Sequence, residues 1–411
     1  MVDGLSLLSA QAVRERAHRL LDIGLKDELA HFRIDPGRLD AAADAVLAMM
    51  RKNYPENYPT GEVPFHSRWR HFVTGGEDRW AAIADHARWP DQAGRARAEF
   101  DLAVVSVLLD AGAGPAWRYR DAARGIGIGR SEGLALASLD MFARGIFSAD
   151  PDDPLRADAE ALARLSVADL EKGFQTGPDN PLIGIEGRAK LLNGLGKLLA
   201  AKPETFAMRD TARPGGLFDR LASHAEHRTI AAAGILSELL RAFGPIWPSR
   251  ITLDGVPLGD CWRHPALKRD DVTSELVPLH KLSQWMAYSL IEPLQRAGFT
   301  VEDIDGLTGL AEYRNGGLFI DCGVLSLRDT RDETREHPVD SPLIVEWRAL
   351  TVALLDRLAA VLRQRLGCDA TRLPLAKILE GGTWAAGRAI AFDRRPDGAP
   401  PLKVISDGTV F

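Results

Sequence analysis

The 411-residue chain is 45% hydrophobic, enough apolar material to bury a large core as one domain or two lobes. Lys and Arg number 51 against 57 Asp and Glu, a net charge of −6, so no global basic field points to nucleic acid or an acidic membrane surface. The opening MVDGLSLLSAQAVRERAH has no basic stretch ahead of its short apolar run, and LAVVSVLL (102–109) is too short to span a bilayer. Cys261, Cys322 and Cys368 are few and lack metal-type spacing, which fits a reducing compartment. The expectation is a soluble, cytoplasmic protein with small-molecule partners, no nucleic acid, no membrane and an oligomeric state left open.

The helical period dominates, and it predicts helices over 8–32, 40–52, 99–112, 131–146, 155–173, 186–201, 217–243, 274–297, 341–366 and 374–380. Strand signals are sparse. SRITLDG (249–255) and PLKVISDGTVF (401–411), each with an Asp-Gly turn signal, are expected to form a small sheet or hairpin. The fold class is therefore mainly α with a small β element. Loops at 148–154, 176–182 and 394–401 punctuate the chain without making a linker, so it reads as a single domain of 1–411 with only a weak boundary near 150.

In chain order, the first chemistry-bearing segment is PFHSRWRHF (64–72). Wound as a helix, it puts Phe65, Trp69 and Phe72 on one stripe and His66 with Arg70 on another face, with Ser67, Arg68 and His71 beside them. Two readings stand: a basic turn paired with nearby carboxylates, or an anion clamp of guanidinium forks and imidazoles. GIGIGR (125–130) follows RYRDAAR rather than an apolar strand, so it suits a flexible or anion-cradling helix entry better than a dinucleotide loop. GLGK (194–197) precedes Leu198 within a helical period and is no phosphate loop. His224-Ala-Glu-His227 misses the four-residue spacing that puts two imidazoles on one helical face, so no metal or other cofactor is expected.

Further along, Lys281, Gln284 and Tyr288 fall on one polar stripe, while Leu282, Met286, Leu290 and Leu294 take the core side. Pro342 after Asp340-Ser341 marks a helix start. Between these lies FTVEDIDGLTGLAEYRNGGLFIDCGVL, which reads as short helix, turn, short helix, with Asp321 as a buried carboxylate pairing with an arginine.

The stretch from Lys281-Leu-Ser-Gln284 through Ala311-Glu-Tyr-Arg314 to Cys322-Gly-Val-Leu325 resembles the queuosine-salvage N-glycosylase family, in which Lys-Arg-Ala-Gln, Ala-Asp-Tyr-Arg and Leu-Gly-x-Leu follow in that order. IEGRAKLLNGLGKLL (185–199), Glu346-Trp347-Arg348 and Trp384 extend the likeness. Over essentially the whole chain, FHSRWRHF, LAEYRNGGLFIDCGVL, WAAGR (384–388) and PPLKVISDGTVF resemble the uracil-catabolism protein four family. The first resemblance implies a fold like the helix-hairpin-helix DNA glycosylases and cleavage of a ribosyl C–N bond. The second implies a substrate derived from uracil, in a pathway for which a ribosylurea intermediate has been proposed.

On that basis Glu312 is the expected carboxylate for an oxocarbenium-like state and Lys281 its charged partner. His66, Arg68, Arg70 and His71 are expected to bind phosphate. Gln284, Tyr313, Arg314, Glu346, Arg348 and Trp384 complete the expected substrate contacts, with Asn315-Gly316-Gly317 letting backbone approach the ligand or take positive φ. This chain has Glu312 where the queuosine enzymes carry aspartate, and Asn315-Gly316-Gly317 where they have Val-Pro-Gln. The alternatives are hydrolysis of an opened pyrimidine ring as an amide or ureide, and a non-catalytic nucleotide-binding protein of the pathway.

Overall fold

The computed structural model describes residues 3–56, 63–110, 112–114, 116–122, 124–208, 211–247 and 251–405. These residues are mainly helical, and the strands among them form only two-stranded pairings, as the helical period and sparse alternation predict. No helix among them is long and apolar enough to cross a membrane.

The chain resolves into two compact units, each assembled from separate segments: one from residues within 3–66, 251–284 and 303–405, the other from within 67–247 and 285–302. Residue 150 lies inside the second unit, and the crossings fall instead at 66, near 250, and at 284 and 302.

The first unit is organised by helix Pro342–Leu366, which is buried along most of its length from Leu343 to Leu362. Its start follows from its sequence, because the Ser341 side chain accepts the Ile344 N–H and Pro342 occupies the position where a missing N–H costs nothing. Its end falls at Gly367, whose φ of 61° is the left-handed conformation that a helix stop needs. Helices Ala10–Gly24, Leu39–Asn53 and Tyr313–Asp321 pack on it. Around Asp254-Gly255, strands Thr252–Leu253 and Val256–Pro257 pair antiparallel, and the positive φ of both central residues (52° and 78°) suits this tight hairpin. In the tail, where the sequence predicts a small sheet or hairpin, Lys403–Ile405 forms a two-stranded parallel sheet with Glu336–Pro338; the Asp407-Gly408 signal lies outside the described residues, as do residues 249 and 250.

The second unit is built on helix Gln92–Leu108, which is buried from Ala98 to Leu108 and carries most of the LAVVSVLL run. Helices Arg130–Ala143, Ile185–Ala201, Gly216–His224 and Ala232–Phe243 belong to it, with a parallel pair of Thr229–Ala231 and Thr300–Glu302. GLGK falls within helix Ile185–Ala201. Strand Ile126–Ile128 ends at Gly129, which caps helix Arg130–Ala143, so GIGIGR is a helix entry. The buried carboxylate of Glu99 accepts from Trp80, Arg95 and Arg296, and that of Asp101 from Arg213 and the Ala157 and Gly215 amides.

Candidate active site

Glu312 closes the loop between the 3-10 helix Ile304–Gly306 and helix Tyr313–Asp321, in line with the short helix, turn, short helix reading. It is the capping residue of the second helix, with extended backbone (φ −122°, ψ 163°). Its Oε2 accepts the Arg314 N–H at 2.7 Å and its Oε1 the Asn315 N–H at 2.6 Å. Aspartate is the ordinary cap at such a position, and the extra methylene of glutamate lets the carboxylate fold over two amides at once. A carboxylate offers about four acceptor sites, so about two stay open to other donors.

The Asn-Gly-Gly that follows is helical, and neither glycine takes positive φ. Gly316 serves packing: a Cβ there would stand 2.7 Å from the Trp347 ring and 2.8 Å from the Thr351 hydroxyl. The helix lies too close to Pro342–Leu366 to admit a side chain at this position. Asn315, 1% exposed, donates its Nδ2 to the Leu310 carbonyl at 3.4 Å, and its buried Oδ1 has no hydrogen-bond partner among the described residues. That oxygen can accept an N–H from a ligand.

Burial pushes the Glu312 carboxyl above the usual range, and the two amides and the nearby charges of Lys281 and His66 offset this only in part. The sequence led us to expect Lys281 to keep this carboxylate low. Its charge acts in that direction, but desolvation outweighs it.

Lys281 opens helix Lys281–Arg296, and its backbone N–H donates to Asp260 Oδ2 at 2.9 Å. Asp260 is held in turn by Arg348 in a two-pronged pair, Nη1 to Oδ1 and Nη2 to Oδ2, both 2.9 Å, and by the Trp262 indole at 2.6 Å. Burial would raise the Asp260 carboxyl, but the Arg348 charge and these donors bring it below its ordinary value. Arg348 Nε also donates to the Ala311 carbonyl at 3.2 Å, one residue ahead of Glu312. One buried ion pair therefore fixes the backbone at both Lys281 and Glu312.

The other expected residues divide by environment. Gln284 is fully buried and trades hydrogen bonds with Thr308, and Tyr288 is buried too, so of the polar stripe only Lys281 keeps partial exposure. Glu346 accepts from the His31 and Phe32 amides and faces His264 Nε2 at 3.0 Å. Arg314 donates to the Gly398 carbonyl at 2.7 Å and lies over the half-buried Tyr313 ring. Trp384, half-buried, carries Arg388 over its ring at 5.3 Å. Asp321 pairs with Arg395 at 2.6 Å, as its place in an apolar run suggested.

PFHSRWRHF does not wind as one helix. A 3-10 helix covers Arg68–Phe72 after an extended Ser67, so His66 and Arg70 share no face. His66 belongs to the first unit, where its N–H reaches the Ala376 carbonyl at 3.0 Å and its Nδ1 meets Glu380 Oε2 at 2.8 Å. Arg68, Arg70 and His71 belong to the second. There Arg68, fully buried, pairs with Asp110 at 3.1 Å and lies 3.3 Å from His71 Nδ1, and Arg70 pairs with Glu292 at 2.6 Å. Trp69 is core, edge-on to Phe72.

Two site residues escaped the sequence reading. Asp260, in GDCWRH, meets Arg348 across 88 positions, and Glu380 meets His66 across 314. Asp260 lies outside every predicted helix, and Glu380 ends the predicted helix 374–380 with nothing to set it apart from a surface carboxylate. The only trace was Gly381-Gly382, whose interruption of the helix coincides with a π-helical segment, Leu379–Thr383, that carries Glu380. Among the described residues no group of three or more His, Cys, Asp or Glu could hold a metal ion.

Fold and site together define a mainly helical protein whose first unit gathers a buried glutamate, a lysine and a histidine–glutamate pair. The chain belongs to the family described as "Protein of unknown function (DUF1688)", which matches residues 6–411. It is 40% identical to Protein urg3 of Schizosaccharomyces pombe over 413 aligned positions, and 37% identical to Uracil catabolism protein 4 of Lachancea kluyveri over 437, with 98% of each chain covered in both cases. The resemblance read from FHSRWRHF, WAAGR and their companions thus holds across the whole chain.

Proposed function

We propose that this protein acts in uracil catabolism as an N-ribosidase, hydrolysing the glycosidic bond of a uracil-derived ribosyl or phosphoribosyl compound, phosphoribosylurea being the example, to urea and ribose 5-phosphate. The observation that carries the reading is the Glu312 carboxylate, buried, fixed by two amides and bordered by the charge of Lys281. Rupture of a ribosyl C–N bond builds positive charge at C1′, and a fixed carboxylate in a dry site stabilises that charge and orients or deprotonates the attacking water. Asn315 Oδ1 is an acceptor for an N–H of the leaving group. The substrate class comes from the relative named as a uracil catabolism protein.

Product identity tests the proposal. Free ribose or ribose 5-phosphate released in step with urea supports it. Carbamate or ammonia released while the sugar stays on nitrogen indicates an amide or ureide hydrolase. Tight binding of a uracil nucleotide with no product indicates a binding protein, and either of these outcomes sinks the proposal.

A pH profile follows from the raised carboxyl. Glu312 acts ionised, so turnover is expected to fall as pH drops through its folded-state pKa, placing the acid limb above the ordinary glutamate range. Lys281 lowers that pKa, so Lys281→Met should move the limb to higher pH. The stability linkage has the opposite sense: the group's contribution is fully present below its unfolded pKa and is lost as pH rises through the folded one. Initial rates and melting temperatures between about pH 4 and 9 check both.

A further inference from the structure

An ionised Glu312 can take a proton from water but has none to give in the same step, and an amide-like nitrogen leaves poorly unless it is protonated. Two-group catalysis of glycosidic cleavage therefore calls for a separate donor. His66 meets the geometric requirements. It is 6% exposed and anchored through its own N–H to the Ala376 carbonyl, and its Nδ1 lies 2.8 Å from Glu380 Oε2. A carboxylate on Nδ1 selects the tautomer, turns the ring and leaves Nε2 at the far edge.

Glu380 is itself supported, because its Oε1 receives the Tyr54 hydroxyl at 3.4 Å and it rides on the π-helical segment Leu379–Thr383. Such segments are rare and recur at functional sites. His66, Glu380, Lys281 and Glu312 all lie in the first unit, and His66 stands within Coulombic reach of Glu312. A buried histidine–glutamate pair far from the reacting group would be simple packing; here the π-helical segment that carries Glu380 packs against helix Tyr313–Asp321, which Glu312 caps.

We propose that His66, oriented by Glu380, is the proton donor to the leaving nitrogen. The inference rests on the N-ribosidase reading. As the C1′–N bond breaks, its electron pair stays on nitrogen, which takes the proton from the His66 imidazolium. The water oxygen bonds to C1′, and its proton passes to Glu312 and then through solvent back to His66. Glu380 is a positioning residue that touches no substrate.

The test compares N-ribosylurea, whose leaving group needs a proton, with p-nitrophenyl ribofuranoside, whose leaving group does not, using the full-length protein. His66→Gln is expected to slow ribosylurea cleavage about 10²–10⁴-fold and the aryl riboside less than about tenfold. Glu312→Gln should slow both alike. Glu380→Gln, which keeps the imidazole in place should His66→Gln fold poorly, should show the same leaving-group bias in weaker form, with Glu380→Asp recovering part of the loss. Equal losses on both substrates in the His66 and Glu380 variants overturn the donor role alone. Absence of ribose or ribose 5-phosphate release by the unaltered protein from both substrates, each offered with and without a 5-phosphate, overturns the N-ribosidase reading beneath it.

Discussion

Glu312→Gln is expected to lower turnover by about 10²–10⁴-fold while the melting temperature moves by no more than about 3 °C. The activity loss follows from removing the fixed negative charge proposed to face the developing cation. The small stability change follows from two opposing effects. Glutamine keeps an oxygen for one of the two capping amides but turns an NH2 towards the other, losing an acceptor from a helix N-terminus and costing about 1 kcal/mol. Against this, it removes a buried charge whose desolvation already pushes the carboxyl upward. Glu312→Asp provides the complementary measurement, since aspartate is a good cap but draws its oxygens back by one methylene; it should melt like the parent and recover only part of the rate. Undiminished turnover in Glu312→Gln, measured by ribose release on the folded variant, removes the glutamate from the mechanism.

What could be read from the sequence, and what could not, follows the range of the interactions concerned. Local signals read true where local chemistry decides: Ser341-Pro342 starts a helix because a hydroxyl and an imide ring answer the first turn's own needs, and Asp254-Gly255 turns a hairpin because both residues tolerate positive φ. Local reading failed where a distant group decides. Asn315-Gly316-Gly317 is expected from the sequence to bring backbone to a ligand or take positive φ, yet it is helical, and Gly316 sits where Trp347 and Thr351 occupy the space that a side chain would need. His66 and Arg70 look like one face of a helix, yet Ala376 and Glu380 hold His66 while Glu292 holds Arg70. Gln284 looks like a surface residue only until Thr308 is known to pair with it. The family resemblance singled out Glu312 and Lys281 as candidates. The residues that fix their backbone, Asp260 and Arg348, come together only through the fold.

That supporting pair yields the largest expected effect on stability. Arg348→Met keeps much of the side-chain volume but leaves the Asp260 carboxylate buried with its Trp262 and Lys281 donors and no countercharge, and should destabilise the protein by about 3–5 kcal/mol. Set against the 5–15 kcal/mol typical of folded domains, this is severe, and should show as a large drop in the denaturant midpoint. Asp260→Leu combined with Arg348→Met removes both charges, so the double variant should be more stable than Arg348→Met alone, because the penalty lies in the orphaned charge more than in the lost bond. Turnover should not follow stability. Arg348 holds the Ala311 carbonyl beside Glu312, and Asp260 holds the Lys281 amide, so the double variant loses the constraint on both groups even where it regains its fold. A double variant that regains both stability and full turnover would show that the pair serves only folding; regained stability with a persistent loss of about tenfold or more in kcat would show that it sets the geometry of the site.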